Sequence, residues 1–175
     1  VGIDLRAEAS VEGFYGGITG ALWASLHVAG GFAMHPLEET PRDEFVNMMQ
    51  MNALSVFLCC REASKRMTAG GRIVNVSARP GLEPRAGAGM AAYAASKAAV
   101  ASLTGSLAAE LAPRGILVNA VAPSIMDTPA NRAAMPSADH ARWPKVDEVA
   151  RAMVTLASPA NTLISGAVVP VYGQA

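Results

Sequence analysis

Little in this chain is charged, aromatic or sulfur-bearing, and each shortage closes off a class of function. Asp, Glu, Lys and Arg make up 16% of the 175 residues, and 14 basic side chains cancel 14 acidic ones. With no basic stripe and no charge run, nucleic acid and membrane surfaces are not expected partners. No uninterrupted apolar run is long enough to span a bilayer. The first residues, Val1-Gly2-Ile3-Asp4-Leu5, carry neither the basic start nor the apolar stretch of a signal peptide. The only cysteines, Cys59 and Cys60, are adjacent in a helical pattern. Such neighbours are poorly placed to bridge each other, so they read as free, partly buried thiols of a cytoplasmic protein. The histidines at 27, 35 and 140 lack ligand spacing, and no metal site is expected.

What is present in excess is apolar: 51% of the residues are hydrophobic. A chain of this length and composition buries a real core, and residues 1–175 read as one domain without repeats or linkers.

Val1–Leu5 reads as the end of a short strand, with Asp4 near its C-terminal edge, and Ala9–Ile18 as a helix. The glycines at 13, 16, 17 and 20 are not a phosphate loop, because no strand precedes them and the Gly-x-Gly-x-x-Gly spacing is absent. Ala21–Val28 is an apolar run of strand length that ends in Ala29-Gly30-Gly31, as a buried parallel strand does. Thr40-Pro41 reads as an N-cap and first helical residue, opening a helix to Met67 that stops at Gly70-Gly71. Asn52 falls inside it. Arg72–Ser77 is a β-branched strand, and Ala78–Met90 a loop. A long Ala-rich helix follows, with Val100, Leu103, Leu107 and Leu111 on one stripe and Gly115 past its end. Ile116–Ala122, Asp147–Ala157 and Ala167–Val171 read as strand, helix and strand. Asp127–Pro144, polar with three prolines, is a lid or a disordered excursion. Strand, helix and strand of these lengths make a βαβ unit, hence a parallel sheet with a right-handed crossover. Ligands in such sheets sit at the C-terminal strand edges, where Gly30, Ser77 and Pro123 fall.

The Ala-rich helix opens with Tyr93-Ala94-Ala95-Ser96-Lys97. Tyr and Lys four apart share a helix face, about 5–6 Å apart at Cβ. An ammonium beside a phenol favours the phenolate and is expected to lower the Tyr93 pKa toward neutrality. A phenol that exchanges a proton there suits carbonyl reduction.

Asp4-Leu5, Ala29-Gly30, Asn52, Asn75-Val76-Ser77, Tyr93 with Lys97, and Pro123 through Thr128 occur in the order and on the elements of one family. The chain resembles the short-chain dehydrogenases/reductases over essentially its whole length. A closer resemblance, in Val28–Gly31 and in Asp127-Thr128-Pro129, Asn131-Arg132 and Trp143, is to dihydropteridine reductase-like members. The resemblance implies a doubly wound α/β fold with a parallel sheet, NAD or NADP as cofactor, and hydride transfer to a carbonyl or imine-like carbon. The acceptor it suggests is a pterin-like heterocycle. It implies Tyr93 as general acid, Lys97 as the group that lowers its pKa and holds the nicotinamide ribose, and Asn52 as holder of a proton-relaying water. Asp4 would contact the adenine. Ala29, Gly30 and Pro123 would line the cofactor, and Thr128, with backbone near Ile125, would hold the carboxamide. Arg132, Arg142 and Trp143 would face a polar, flat substrate from a closing lid. The family also implies a homodimer or homotetramer paired through the Pro41–Met67 and Ala91–Ala112 helices. A non-enzymatic nucleotide sensor or scaffold on the same fold is the alternative, and a sugar-nucleotide epimerase a second.

The departures are specific. Ala78 stands where the family has its catalytic serine, so Ser77 is the candidate to replace it. His27-Val28 stands in place of two asparagines, and Ser124 in place of a glycine. The family's first strand, Gly-rich turn and helix are not in the sequence. The expectation is therefore a longer protein whose first part is disordered without cofactor, or else a fragment.

Overall fold

The computed structural model describes residues 2–68 and 70–174. Four strands, β1 (Ala24–His27), β2 (Gly71–Val76), β3 (Ile116–Pro123) and β4 (Val168–Val171), form one sheet in the order β1-β2-β3-β4. All three pairings are parallel. Parallel neighbours need long crossovers. These are supplied by α2 (Arg42–Met48) with α3 (Ser55–Arg66), by α5 (Ala91–Leu111) and by α7 (Val146–Ala157). Helix α1 (Glu8–Gly16) precedes the sheet and packs on α3.

Helices cover both faces, which is the doubly wound arrangement expected. Side chains alternate along a strand. Ile73 and Val118 therefore join Val11, Val56, Cys60 and Val100 in one core under α1, α3 and α5. Val74 and Val121 point the other way and meet Val149, Met153 and Leu156 of α7. Each such buried aliphatic stabilises the fold by roughly 1.5–3 kcal/mol. Helix α5 ends where Gly115 turns at φ +68°, a left-handed conformation that favours glycine.

Several local expectations need correction. Gly2–Asp4 is not a strand, and Val1 lies outside the described residues. The Pro41–Met67 helix is not uniform, because a π-helical turn, Met49–Leu54, separates α2 from α3. Its N-cap is Pro41, and the Thr40 hydroxyl donates backward to the Pro36 carbonyl at 3.0 Å. Ala78–Met90 is not a plain loop but holds α4 (Arg79–Leu82) and a 3₁₀ turn, Pro84–Gly87. On α5 the buried positions include Val100, Thr104, Ala108 and Leu111, while Leu103 and Leu107 are only partly covered. Asp127–Pro144 is ordered: α6 (Pro129–Ala134) and a 3₁₀ turn, His140–Arg142, fill it. Thr128 caps α6 by accepting from the Asn131 amide at 3.2 Å, with Pro129 at the first helical position.

Candidate active site

Three chain segments leave the same sheet edge. The Ala29–Gly31 turn follows β1, Ser77 follows β2 and Ser124–Thr128 follows β3. Strand register puts their origins side by side, with His27 opposite Asn75 and Val76 opposite Val121. Helix α5 begins over this edge and carries Tyr93 and Lys97.

Asn52 is the clamp of the site. It sits in the π-helical turn, a distortion that often marks a functional position. Fully buried, it accepts from the Gly31 amide at 2.9 Å and donates to the Gly31 carbonyl at 3.1 Å and to Ser96 Oγ at 2.9 Å. Ser96 in turn donates to the Tyr93 carbonyl at 2.7 Å. One amide thus ties the glycine turn to the first turn of α5. Gly30 is required by close approach: a Cβ there would stand 2.6 Å from Asn52 Oδ1 and 3.3 Å from Lys97 Nζ. The absent side chain is what lets the turn pass directly against Asn52 and Lys97.

Lys97 is buried, and its ammonium donates to the Val76 carbonyl at 2.9 Å. That is one acceptor for a group with three donors. Burial pulls its pKa down to about 8, so at neutral pH it keeps its charge. Nζ lies 6.0 Å from the Tyr93 ring centroid. The expected depression of the Tyr93 pKa is not found. Burial of the phenol pushes it up instead, and the Lys97 ammonium makes no hydrogen bond to the hydroxyl. The Tyr93 ring meets Phe32 edge-on at 5.0 Å between centroids. Phe32 is itself 62% exposed and was invisible in the sequence, where a lone aromatic after a glycine turn has no periodic signal. Ser96 and the Val76 carbonyl were also missed. Ser96 stood inside the Tyr93–Lys97 spacing, but no sequence signal marks a strand carbonyl.

Ser77 is buried, and its hydroxyl donates to the Lys97 carbonyl at 2.8 Å. The residue braces α5 from below, and its proton is already committed. Ala78 is buried beside it. Pro123 ends β3 in register with Val171, Ile125 is 43% exposed, and Thr128 keeps its hydroxyl proton while its oxygen caps α6. Asp4 is engaged locally in an exposed pair with Arg6 at 3.0 Å, which lowers its pKa, and shares no hydrogen bond with the Tyr93 cluster.

The substrate-side loop differs from expectation in two groups. Arg132 is paired with Asp127 at 2.5 and 2.8 Å. Trp143 is buried, its ring 4.6 Å from that of His140, so it is packing and not an open platform. Among the described residues no helix is long and apolar enough to cross a membrane. Nor could any group of three or more His, Cys, Asp or Glu among them hold a metal ion. Both cysteines are free and buried.

A family model described as enoyl-(acyl carrier protein) reductase matches residues 3–173. Galactitol 2-dehydrogenase of Rhizobium johnstonii is 39% identical over 148 residues, 78% of this chain and 58% of the relative. A short-chain type dehydrogenase/reductase of Picea abies is 37% identical over 148 residues, 78% of this chain and 54% of the relative. The chain therefore spans little more than half the length of these two. A solved structure described as ElxO with NADP bound superposes with a TM-score of 0.90 at 29% identity, over 98% of this chain and 75% of that one. With the Tyr93–Lys97 pair at the C-terminal edge of a doubly wound sheet and the match running nearly end to end, the chain belongs to the short-chain dehydrogenase/reductase family.

Proposed function

We propose that the protein is an oxidoreductase that uses NAD or NADP to deliver hydride to a small molecule, with Tyr93 as general acid. The observation that carries this is the unspent polar capacity at one point. Among the described residues Lys97 has two N–H donors without acceptors and Tyr93 Oη makes no hydrogen bond, and the Gly30 turn passes close beside Lys97 and Asn52. The residues fit the nicotinamide-ribose end of a dinucleotide, and the nicotinamide supplies the hydride when bound.

The chain's own groups then have distinct tasks. Lys97 offers its free N–H groups to the ribose hydroxyls. Gly30 and Ala29 leave room for close approach, and Pro123 forms the far wall. Thr128, with backbone near Ile125, holds the carboxamide through its uncommitted hydroxyl proton. Asp4 belongs to the adenine end. Tyr93, kept protonated at neutral pH by burial, gives its proton to the substrate heteroatom as charge develops there. The charge of Lys97 stabilises the phenolate that remains. Asn52 fixes the geometry of both by holding Gly31 and Ser96.

The acceptor class follows from Ala78 and Ser77. In ketone reduction a serine hydroxyl steadies the developing oxyanion, and loss of such a donor costs roughly 10²–10³-fold. Here the serine on the segment, Ser77, donates its hydroxyl hydrogen bond to the Lys97 backbone carbonyl. An acceptor that is already electron-poor, such as a conjugated imine in a pterin-like heterocycle, has no need of that donor, and exposed Phe32 offers it an apolar wall. The protein acts as a homodimer or homotetramer, and Phe45, Leu54 and Phe57 stand 47%, 37% and 40% exposed on the α2–α3 segment for that pairing.

The test is oxidation of NADH and NADPH with a quinonoid dihydropterin and with simple ketones. Turnover of the heterocycle well above the ketones supports the reading. Ketones as the better substrates, with loss of activity in Ser77→Ala, would make Ser77 the catalytic donor and the acceptor an ordinary carbonyl.

A further inference from the structure

The opposite edge of the sheet carries a second site candidate. Trp23 precedes β1, Gly70 precedes β2 and Gly115 precedes β3. Between these turns lies a cleft of about 650 Å³, lined also by Thr68, Arg72 and Arg114. A smaller adjoining hollow shares Thr68 and adds Arg66. No carboxylate lines either one. Tyr93 is near the start of the 21-residue α5 and this cleft is just past its end, which separates the two by roughly 30 Å.

The charge here is not neutralised by acidic side chains. Elsewhere on the surface Arg6, Arg42, Arg61, Arg132 and Arg151 each pair with a carboxylate. Among the described residues, Arg66, Arg72 and Arg114 have no such partner, as Arg85 and Arg142 also do not, but these three lie together. Backbone carbonyls hold them instead. Arg66 donates to Ile18, Arg72 to Gly71 at 2.8 Å and Asn161 at 2.5 Å, and Arg114 to Ser64 at 2.5 Å. Part of this is ordinary capping, because α3 and α5 end here and each helix C-terminus brings roughly half a negative charge. Three guanidinium charges against about one leave a clear positive excess, and the carbonyls fix the guanidinium groups in place. Buried Arg72 also has an Nε with no hydrogen-bond partner. Trp23 adds a platform. Its indole N–H donates to the Ala157 carbonyl at 3.0 Å and the Arg72 guanidinium sits 4.8 Å from its ring, yet the residue remains 42% exposed.

We propose that this cleft and the hollow that shares Thr68 with it together bind a phosphate-bearing planar molecule of the nucleotide class, its ring on Trp23 in the first and its phosphate reached by Arg114 from the first and Arg66 from the second. Guanidinium groups suit phosphate oxygens, and an immobilised indole stacks a ring at small entropic cost. The proposal is independent of the hydride-transfer reading.

Calorimetric titration of the 175-residue chain with AMP, adenosine and inorganic phosphate tests it. AMP should bind, and each half alone should bind more weakly. Arg114→Gln and Trp23→Leu should each weaken AMP roughly tenfold or more, the scale of one charged hydrogen bond. Asp4→Ala, at the adenine end proposed for the cofactor, should leave AMP binding unchanged. Because Arg114 also braces α3, Arg66→Gln serves as a second charge variant, and thermal melts check that each variant is folded. Absence of AMP binding overturns the proposal. So does binding that survives Arg114→Gln and Arg66→Gln, or that is lost in Asp4→Ala, since the nucleotide would then sit elsewhere.

Discussion

Two buried polar clusters meet at the C-terminal end of β2, and they differ in one respect. The first is closed. Asn75 Nδ2 donates to Thr104 Oγ1 at 3.0 Å, and Thr104 donates to the Val100 carbonyl at 2.8 Å. Asn75 Oδ1 is therefore an acceptor, and the His27 Nδ1 that meets it at 2.8 Å must carry a hydrogen. His27 Nε2 is then an acceptor, met by Ser25 Oγ at 2.9 Å, with Tyr15 Oη 2.8 Å from Ser25. Every polar side-chain atom in that chain has a hydrogen-bond partner. The second cluster, one residue further along β2 at the Val76 carbonyl, is open. Lys97 makes a single hydrogen bond there, and Tyr93 Oη makes none. Buried polar groups are ordinarily satisfied. A satisfied cluster fixes the fold, and the unsatisfied one next to it leaves the hydrogen-bonding capacity that the proposed function assigns to a ligand.

The sharpest way to break that comparison is at the open end. Tyr93→Phe removes only a hydroxyl without a partner, so thermal stability should stay within about 0.5 kcal/mol. Turnover, by contrast, should fall roughly 10²–10⁴-fold, the usual worth of general acid catalysis. Stopped-flow or steady-state NAD(P)H oxidation measures this. A stability loss above 2 kcal/mol with turnover retained would make Tyr93 a structural residue.

The closed end should respond in the reverse way. Burial holds the His27 pKa down at about 4, against 6.5 for a free imidazole. The unfolded chain therefore binds a proton near pH 6.5 that the folded chain refuses until about pH 4. Stability from this group is complete above pH 6.5 and is lost as pH falls toward 4, by about 3 kcal/mol in all. Urea melts between pH 4 and 7.5 should show that loss, and His27→Asn should flatten it while leaving the catalytic constants at pH 7.5 nearly unchanged. A variant as acid-sensitive as wild type would assign the effect to another group.

The same contrast explains how far the sequence could be read. Period and spacing revealed the strands, the α5 helix, the Tyr93–Lys97 pair and the glycine turn, because each has a local pattern. The closed cluster had none. His27, Ser25, Tyr15, Asn75 and Thr104 come from four elements, and only the parallel register brings them together. The Thr-Pro signal shows the limit of local rules. At Thr128-Pro129 the threonine caps a helix, whereas at Thr40-Pro41 its hydroxyl turns back to Pro36. Trp143 was assigned to a flat ligand because composition cannot tell an exposed indole from one packed on His140. The Tyr93 pKa was misjudged because helix spacing fixes Cβ separation but not where an ammonium points.

Ser77 gives the smallest effect and the finest test, since it is a satisfied group inside the open cluster. Its hydroxyl reaches the Lys97 carbonyl, a helix acceptor that also takes the usual backbone donor one turn on. Removing it leaves that carbonyl served, and only the Ser77 contribution is lost, about 1 kcal/mol for a neutral hydrogen bond. Ser77→Ala should therefore lower the melting midpoint slightly and leave kcat within about threefold, since a brace on α5 shifts Tyr93 little. Ala78→Ser should leave stability near wild type and raise ketone turnover if its hydroxyl reaches the acceptor oxygen. The two substitutions together separate a brace from a donor. A large kcat loss in Ser77→Ala at unchanged stability would move Ser77 into the catalytic set.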